Sequence, residues 1–241
     1  TALAELDRFS QGVDCVVGHN LVQHDLAVLA KKNPTLALLR LPIIDTLLLS
    51  PMCFPENPYH RLVKDYKLVS ESLNDPVADA RLAGVFLGEE IQSLRGMSQA
   101  APDAFRCLQF LLCQDSAGDA RVFQGMKRVF HVAAGMNTPA SDEGRSILSG
   151  LLGQLACRTG GKFLSDMDLV TNEARWALAY ILTWLRVAGS DSVMPPWIRL
   201  HNRLVVPLAT RLRDVPCDDP DCSYCRSVHN PEVQLKRYFG F

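Results

Sequence analysis

The sequence predicts an α/β segment, then a mainly α-helical domain, then a small knot rich in cysteine and histidine. Three observations support this order. Strand-like apolar runs alternate with helical spacing over residues 1–97, apolar residues recur at helical spacing over 98–215, and three Cys and one His crowd into 216–241. We take these three ranges as the predicted domains.

Composition excludes several classes of protein. The chain has 241 residues, of which 48% are hydrophobic and 21% charged, and this is typical of one or two globular domains. Its 25 basic and 26 acidic side chains leave a net charge of −1, so nucleic acid or membrane binding has to come from local placement of charge.

Targeting and spanning signals are not found in the sequence. No stretch approaches the ~20 apolar residues that cross a bilayer. The start, TALAELDRFS, has neither the basic flank nor the apolar run of a signal peptide. We therefore expect a cytoplasmic protein with no membrane partner, and we expect both ends to continue in a longer protein.

The first third of the chain contains strand, helix, strand, loop and helix signals. VDCVV (13–17) predicts a buried strand that ends at Gly18, and DLAVLAKK (25–32) predicts a helix that stops before Asn33-Pro34. A second apolar run carries IIDTLLLS (43–50), and the prolines after it predict a loop. Asn74 or Asp75 can then cap a helix in which Pro76 takes the first position.

The middle of the chain predicts packed helices and no chemistry. Residues 173–188 are apolar on nearly all sides and place Trp176, Tyr180 and Trp184 on one stripe, which is typical of a buried core helix. The scattered cysteines have apolar surroundings and are predicted to pack in the core. They are Cys15, Cys53, Cys107, Cys113 and Cys157.

Two acidic residues near predicted helix starts are candidate metal ligands. Asp25 follows the pair His19-Asn20, and Asp79 lies in the first turn of the helix that begins near Pro76. Mg²⁺ and Mn²⁺ prefer carboxylate oxygens, and phosphodiester cleavage commonly uses two such ions. Because acidic residues at helix starts also act as caps and dipole partners, spacing alone leaves both roles open.

The whole N-terminal segment resembles the DnaQ-like 3′–5′ exonucleases (the DEDD family), which have the RNase H-like fold. The resemblance covers roughly residues 1–95, through GHNLVQHDLAVL (18–29), IIDTLLLS (43–50) and NDPVADARLAG (74–84). The matching positions are His19, Asn20, Asp25, Asp45, Thr46 and Asp79.

This resemblance implies roles for those residues. Asp25 and Asp79 would be catalytic ligands of Mg²⁺ or Mn²⁺, Asn20 would orient the substrate or a metal-bound water, and His19 would contact the substrate. The family's opening strand with Asp-x-Glu is not in this sequence, so the resemblance implies that it lies upstream.

The general base stays open. The position of the family's catalytic His is Asn74, and an amide cannot take a proton near neutral pH as imidazole can. His24, His60 and Lys64 are the alternatives. A nuclease that is intact, altered or degenerate is compatible with this departure.

A basic stretch interleaved with aromatic residues lies in the predicted loop. Arg61, Lys64 and Lys67, with Tyr59 and Tyr66 between them, would suit the phosphates and bases of a single strand. A solvated loop has the same composition, so both interpretations remain.

Near the C-terminus, PCDDPDCSYCRSVHNPE (216–232) spaces its ligands as C-x4-C-x2-C-x3-H. Cys217, Cys222, Cys225 and His229 would form a closed tetrahedral Zn²⁺ site, which predicts a structural role. A disulfide between two of these cysteines is the lesser alternative.

The last residues, VQLKRYFGF (233–241), resemble the opening of RecQ-type DNA helicases in Tyr238-Phe239-Gly240-Phe241. No Walker A loop occurs in the chain, so ATP would bind only in a helicase part downstream. Together the resemblances imply a 3′–5′ exonuclease coupled to an ATP-dependent helicase, with a DNA single strand or 3′ end as the partner. The alternative is a degenerate exonuclease fold that acts as a DNA-binding or adaptor module with a structural zinc site.

Overall fold

A computed structural model describes residues 2–57, 60, 75–114, 119–157, 172–187, 194–217 and 219–240. Over these residues the chain is mostly helical and has one small sheet of two parallel strands. The predicted alternation of strands and helices is found near the N-terminus, but the strands are short. The helical character predicted for the middle of the chain is confirmed wherever that part is described.

The sheet pairs β1 (Val16–Gly18) with β2 (Ile43–Asp45). Parallel strands need a crossover connection, and here it consists of a π-helical turn (Leu21–Asp25), α2 (Leu26–Lys32) and a 3₁₀ turn (Ala37–Arg40). The register places the last residues of both strands, Gly18 and Asp45, side by side. The segments that leave the two strands therefore start next to each other.

The remaining helices surround this sheet and extend away from it. They are α1 (Ala2–Phe9), α3 (Thr46–Cys53), α4 (Pro76–Ala100), α5 (Pro102–Cys113), α6 (Ala120–Ala134), α7 (Ser141–Leu155), α8 (Asn172–Val187), α9 (Pro196–His201), α10 (Val205–Ala209), a π-helical turn (Thr210–Asp214), α11 (Ser223–Val228) and α12 (Pro231–Phe239). One hydrophobic core runs from the sheet through α4–α8 to α10.

The second apolar run becomes a strand for only three residues before it turns into α3. The carboxylate of Asp45 accepts a hydrogen bond from the Leu47 backbone N–H at 3.1 Å and caps the helix at that point. Pro51 lies inside the last turn of α3, which ends at Cys53. The side chain of one residue thus decides where the strand stops.

The cap predicted for the next helix is confirmed. The Asp75 carboxylate accepts hydrogen bonds from the N–H groups of Val77 and Ala78, both at 3.0 Å, and Pro76 is the first residue of α4. The helix continues to Ala100, beyond the predicted boundary at residue 97.

The aromatic stripe of α8 is buried, as predicted. Trp176, Tyr180 and Trp184 are all less than a tenth exposed. The Tyr180 hydroxyl donates to the Leu48 carbonyl at 3.2 Å and so links α8 to α3. Burial of such aromatic side chains contributes much of the core's stability.

Helix α6 lies directly on the sheet because it presents a glycine there. A Cβ atom on Gly125 would lie 1.8 Å from the Ile43 carbonyl oxygen in β2, a distance that no side chain could tolerate. This close approach brings α6 against β2, whose three residues are all buried.

Within the described part of the chain, no helix has the length and hydropathy that a membrane crossing requires.

Candidate functional site

Asp45 organises the ends of both strands. Its carboxylate accepts hydrogen bonds from the backbone N–H groups of Asn20 at 2.8 Å and Val22 at 2.9 Å, in addition to that of Leu47. The side chain is buried, with 1% of the residue exposed. Burial raises the pKa of Asp45, and the N–H donors oppose this rise because they stabilise the ionised form.

The His-Asn pair predicted as functional lies on this anchored turn. Asn20 has a left-handed backbone with φ of 64°, which a non-glycine residue rarely adopts without support. The His19 Nδ1 atom is 2.9 Å from the Thr46 hydroxyl, which itself donates to the Gly18 carbonyl at 3.3 Å. The Asp-Thr pair that ends β2 therefore fixes the His-Asn pair that follows β1.

Asp25 and Asp79, the predicted Mg²⁺ or Mn²⁺ ligands, lie on elements that leave or contact the sheet. Asp25 ends the π-helical turn after β1, and its side chain is 56% exposed and 3.5 Å from the His24 imidazole. Asp79 is half-buried in the first turn of α4, a helix that packs on β1. Among the described residues, neither acid belongs to a group of three or more side chains placed to share a metal ion.

His60, one alternative for the general base, is a buried partner of α3. Its Nδ1 atom is 2.8 Å from the Ser50 hydroxyl, and its backbone hydrogen-bonds the ring of His19. Burial lowers the pKa of His60 to about 4. Since a general base works best with a pKa near the operating pH, this environment favours a structural role for His60.

The basic stretch cannot be located, because Arg61, Lys64 and Lys67 lie outside the described residues, as does Asn74. The predicted single-strand contacts of those side chains remain predictions.

Glu90 is a feature of this region that the sequence analysis missed. It lies in the middle of α4 with no exposed surface, and neither carboxylate oxygen has a hydrogen-bond partner among the described residues. Burial raises the pKa of Glu90 to about 9, and the charges of Asp45 and Glu89 add to that rise. In the sequence, Glu90 follows the exposed Glu89 directly, and no periodic pattern distinguishes the buried residue from the exposed one.

The strongest candidate for a metal site lies at the other end of the molecule. The thiols of Cys157, Cys217, Cys222 and Cys225 all lie within 4.8 Å of one another. The Sγ atoms of Cys217 and Cys225 are 3.5 Å apart. Since a Zn–S bond of about 2.3 Å in a tetrahedron separates sulfurs by roughly 3.8 Å, this cluster could hold a metal ion such as zinc.

The composition of this cluster differs from the predicted ligand set. Three of the four ligands, Cys217, Cys222 and Cys225, are brought together as predicted, but the fourth thiol comes from Cys157 rather than the imidazole of His229. Cys157 follows α7 by two residues and was predicted to pack in the core. Cys157 is buried as predicted, with 1% of its surface exposed. Its sulfur, however, is hydrogen-bonded to the Cys217 thiol and lies among the other thiols.

Two of the four thiols have pKa values raised above the ordinary value for cysteine. Hydrogen bonding with Cys157 raises the pKa of Cys217, and burial raises the pKa of Cys225 to about 12. Metal ions bind thiolates, so binding at this cluster must release protons. Zinc affinity is therefore expected to increase with pH.

Comparison with known proteins adds no family to this description: no family model, no curated protein and no solved structure matches the chain.

Replacement of Asp45 tests its organising role. We expect Asp45→Ala to lower the free energy of unfolding by roughly 2–4 kcal/mol, because three N–H groups lose a charged acceptor. The exposed Asp25 offers a matched control, and Asp25→Ala should change stability by less than about 0.5 kcal/mol. Urea unfolding followed by circular dichroism measures both. Equal effects of the two substitutions would contradict the assignment.

Glu90 predicts a specific pH dependence. Its pKa in the folded protein, about 9, lies above the ordinary value of 4.5, so the folded state keeps a proton that the unfolded state releases. Stability should therefore fall as pH rises from about 4.5 to 9, by at most about 1.4 kcal/mol per pH unit from this group. In Glu90→Gln this contribution disappears, and the variant should exceed the wild type in unfolding temperature at pH 8.

The exposed neighbour supplies the control for that measurement. Glu89→Gln removes a charge from the same helix and should keep the fall in stability with pH, because Glu89 makes the smallest of the three contributions to the raised pKa of Glu90. If wild type and Glu90→Gln lose stability in parallel between pH 5 and 9, the buried carboxyl is not responsible.

Proposed function

We propose that the chain is part of a nucleic-acid-processing enzyme in which a 3′–5′ exonuclease of RNase H-like fold is coupled to an ATP-dependent RecQ-like DNA helicase. The observation that carries the nuclease part is the contact between the ends of the two parallel strands. There the Asp45 carboxylate accepts a hydrogen bond from the Asn20 backbone N–H at 2.8 Å, and the Thr46 hydroxyl is hydrogen-bonded to the His19 ring at 2.9 Å. In sheets of parallel strands, ligands commonly bind beyond the carboxyl ends of the strands.

This arrangement supports positioning roles for the predicted residues. Asn20 has a left-handed backbone conformation, and the Asp45 carboxylate holds its backbone N–H. His19 has its ring fixed by Thr46 and by the backbone of His60, which suits a residue that orients a substrate. Burial lowers the pKa of His19, so it contacts the substrate as a neutral hydrogen-bonding group at neutral pH.

The metal part of the proposal rests on donor chemistry. Carboxylates are the ligands that Mg²⁺ and Mn²⁺ prefer, and Asp25 and Asp79 would hold them. When bound, such ions activate water and stabilise the leaving oxygen of a phosphodiester. Two carboxylates are fewer than a two-ion site uses, so this proposal includes further carboxylates from upstream of the chain.

A second candidate function is a degenerate exonuclease fold that binds DNA or acts as an adaptor. The observation that favours it is that Asp25 and Asp79 share no group of three metal-ligating side chains within the described ranges. In this case the anchored His19–Asn20 turn would still contact nucleic acid, but no cleavage would follow.

We assign the Cys₄ cluster a structural role as a zinc site. Helix α11 buries no residue, and the described side chains of α12 are exposed, so the C-terminal segment has no hydrophobic core of its own. Segments of this size are commonly folded by a metal ion. All four positions of a tetrahedral site are taken by thiols, which leaves none open for catalysis.

The helicase part of the proposal places its start at α12. Leu235 and Phe239, four residues apart on this helix, are 50% and 67% exposed. Such a pair on one helix face suits packing against a following domain, which would bind ATP. A cytoplasmic location and a DNA single strand or 3′ end as partner belong to the same proposal.

Metal analysis tests the zinc site. We expect about one Zn²⁺ per chain after purification without chelators, measured by inductively coupled plasma mass spectrometry, because the cluster offers one set of four ligands. Cys222→Ser should lose the metal and lower the unfolding temperature. Cys15→Ser, which alters a half-buried thiol outside the cluster, should retain it. Wild-type protein without zinc would refute the site.

An activity assay tests the nuclease. In the proposed enzyme, Mg²⁺-dependent shortening of a 5′-labelled single strand should fall by at least about 100-fold in Asp25→Ala, because a metal ligand is lost. Asp14→Ala removes a carboxylate that is 89% exposed and should leave the rate unchanged. The 241-residue chain by itself should give no turnover.

The outcomes separate the two candidates. Activity that survives in Asp25→Ala contradicts the metal role of this residue. Binding of the labelled strand without any cleavage would instead support the degenerate fold.

A further inference from the structure

Five metal-ligating side chains are available for a site that needs four. Cys217, Cys222 and Cys225 are common to two possible ligand sets. In the structure Cys157 completes the first set, and in the sequence His229 completes the second, at the C-x4-C-x2-C-x3-H spacing. The two sets differ in what they connect, because Cys157 belongs to the helical body and His229 to the C-terminal segment.

His229 directly follows the helix that carries Cys225, although its ring is not one of the four grouped ligands. Its backbone N–H donates to the Cys225 carbonyl at 2.8 Å, which places it one turn beyond that ligand at the end of α11. Its ring meets that of Tyr224 edge-on, with 6.0 Å between centroids. Its Nε2 atom is buried and has no hydrogen-bond partner in the part of the chain that the structure describes. A buried imidazole nitrogen without a partner is costly, and a metal bond would satisfy it.

We propose that the site exchanges Cys157 for His229 as the fourth ligand of zinc, an inference that rests on the zinc binding proposed above. In the exchange, the Zn–S bond to Cys157 breaks and its thiolate takes a proton from solvent. The lone pair of neutral His229 forms a Zn–N bond, with the ring proton on Nδ1. The metal keeps its charge and a coordination number of four.

The two states differ in the attachment of the C-terminal segment. With Cys157 bound, zinc clamps the segment to the end of α7. With His229 bound, all four ligands lie between residues 217 and 229, so the knot is complete by itself and the segment can move. The attachment before the knot stays in place, since Leu212 is buried and the Arg213 guanidinium lies 4.4 Å from the centre of the Trp184 ring. Movement would therefore begin after residue 214.

This exchange makes the zinc site a detachable clamp. Among the described elements, α11 makes its main helix contact with α12, and neither helix contributes to the core of the body. The bond to Cys157 is a link between the knot and the helical domain that the exchange removes. Breaking it would loosen the attachment of α12, with its exposed Leu235 and Phe239, without loss of the metal.

Cobalt substitution distinguishes the ligand sets. Co²⁺ replaces Zn²⁺ in thiolate sites, and its charge-transfer absorption scales with the number of bound thiolates. We expect one Co²⁺ per chain in the wild type with the spectrum of four thiolates. Cys157→Ala should still bind one Co²⁺, with charge-transfer intensity lower by about a quarter and the spectrum of a site with one nitrogen, because His229 replaces the lost thiolate.

Removal of both alternatives should abolish the site. The double variant Cys157→Ala/His229→Ala should bind Co²⁺ at least about 100-fold more weakly than Cys157→Ala, since it keeps only three ligands. His201→Ala in the Cys157→Ala background, which removes an exposed imidazole outside the cluster, is the matched control and should leave affinity unchanged. Equal affinities of Cys157→Ala with and without His229 would overturn the exchange.

Alkylation tests the exchange in the wild-type protein. With zinc bound, iodoacetamide should modify Cys157 before Cys217, Cys222 and Cys225, and the metal should remain bound by native mass spectrometry. In His229→Ala, modification of Cys157 should be slower and should release zinc. Identical rates in the two proteins would contradict the proposal. If the wild type binds neither Zn²⁺ nor Co²⁺, the metal site itself is wrong, and that outcome is distinct from a failure of exchange.

Discussion

A single buried carboxylate holds together the part of the molecule that carries the predicted nuclease motifs. Asp45 receives backbone hydrogen bonds from the turn after β1 and from the first turn of α3, at a position where water cannot replace them. It stops β2, starts α3 and supports the left-handed conformation of Asn20. Because hydrogen bonds to a charged acceptor in a dry site are strong, one residue can set the geometry of two segments distant in sequence.

Two titratable side chains near this carboxylate, Glu90 and His60, are buried in environments that favour their neutral forms. Glu90 is driven towards its protonated form by burial and by the charge of Asp45, whereas burial drives His60 towards its neutral form. Both shifts reduce the charge beneath the strand ends. The carboxylate of Asp25, by contrast, is exposed at the surface of this region. Buried groups with reduced charge therefore lie beneath an exposed carboxylate.

The opposite end of the molecule obeys a different constraint. The two helices of the C-terminal segment bury none of their described side chains, so hydrophobic packing does not hold this segment together. Instead, four thiols, one from just after α7 and three from the knot, form a cluster that could hold a metal ion. A zinc ion there would act as a cross-link between distant parts of the chain, and its strength would depend on which residue completes the tetrahedron.

The sequence by itself determined what depends on residues within a few turns of one another. The Asp75 cap, the buried aromatic stripe of α8 and three of the clustered thiols follow from spacing, and the structure confirms them. Only the tertiary structure decided the fourth thiol, the burial of Glu90 and the short length of β2. Cys157 and Glu90 have ordinary neighbours in sequence, and their roles arise from side chains brought to them by folding. Local propensity and periodicity do not predict such contacts, because the contacts depend on how helices pack across the core.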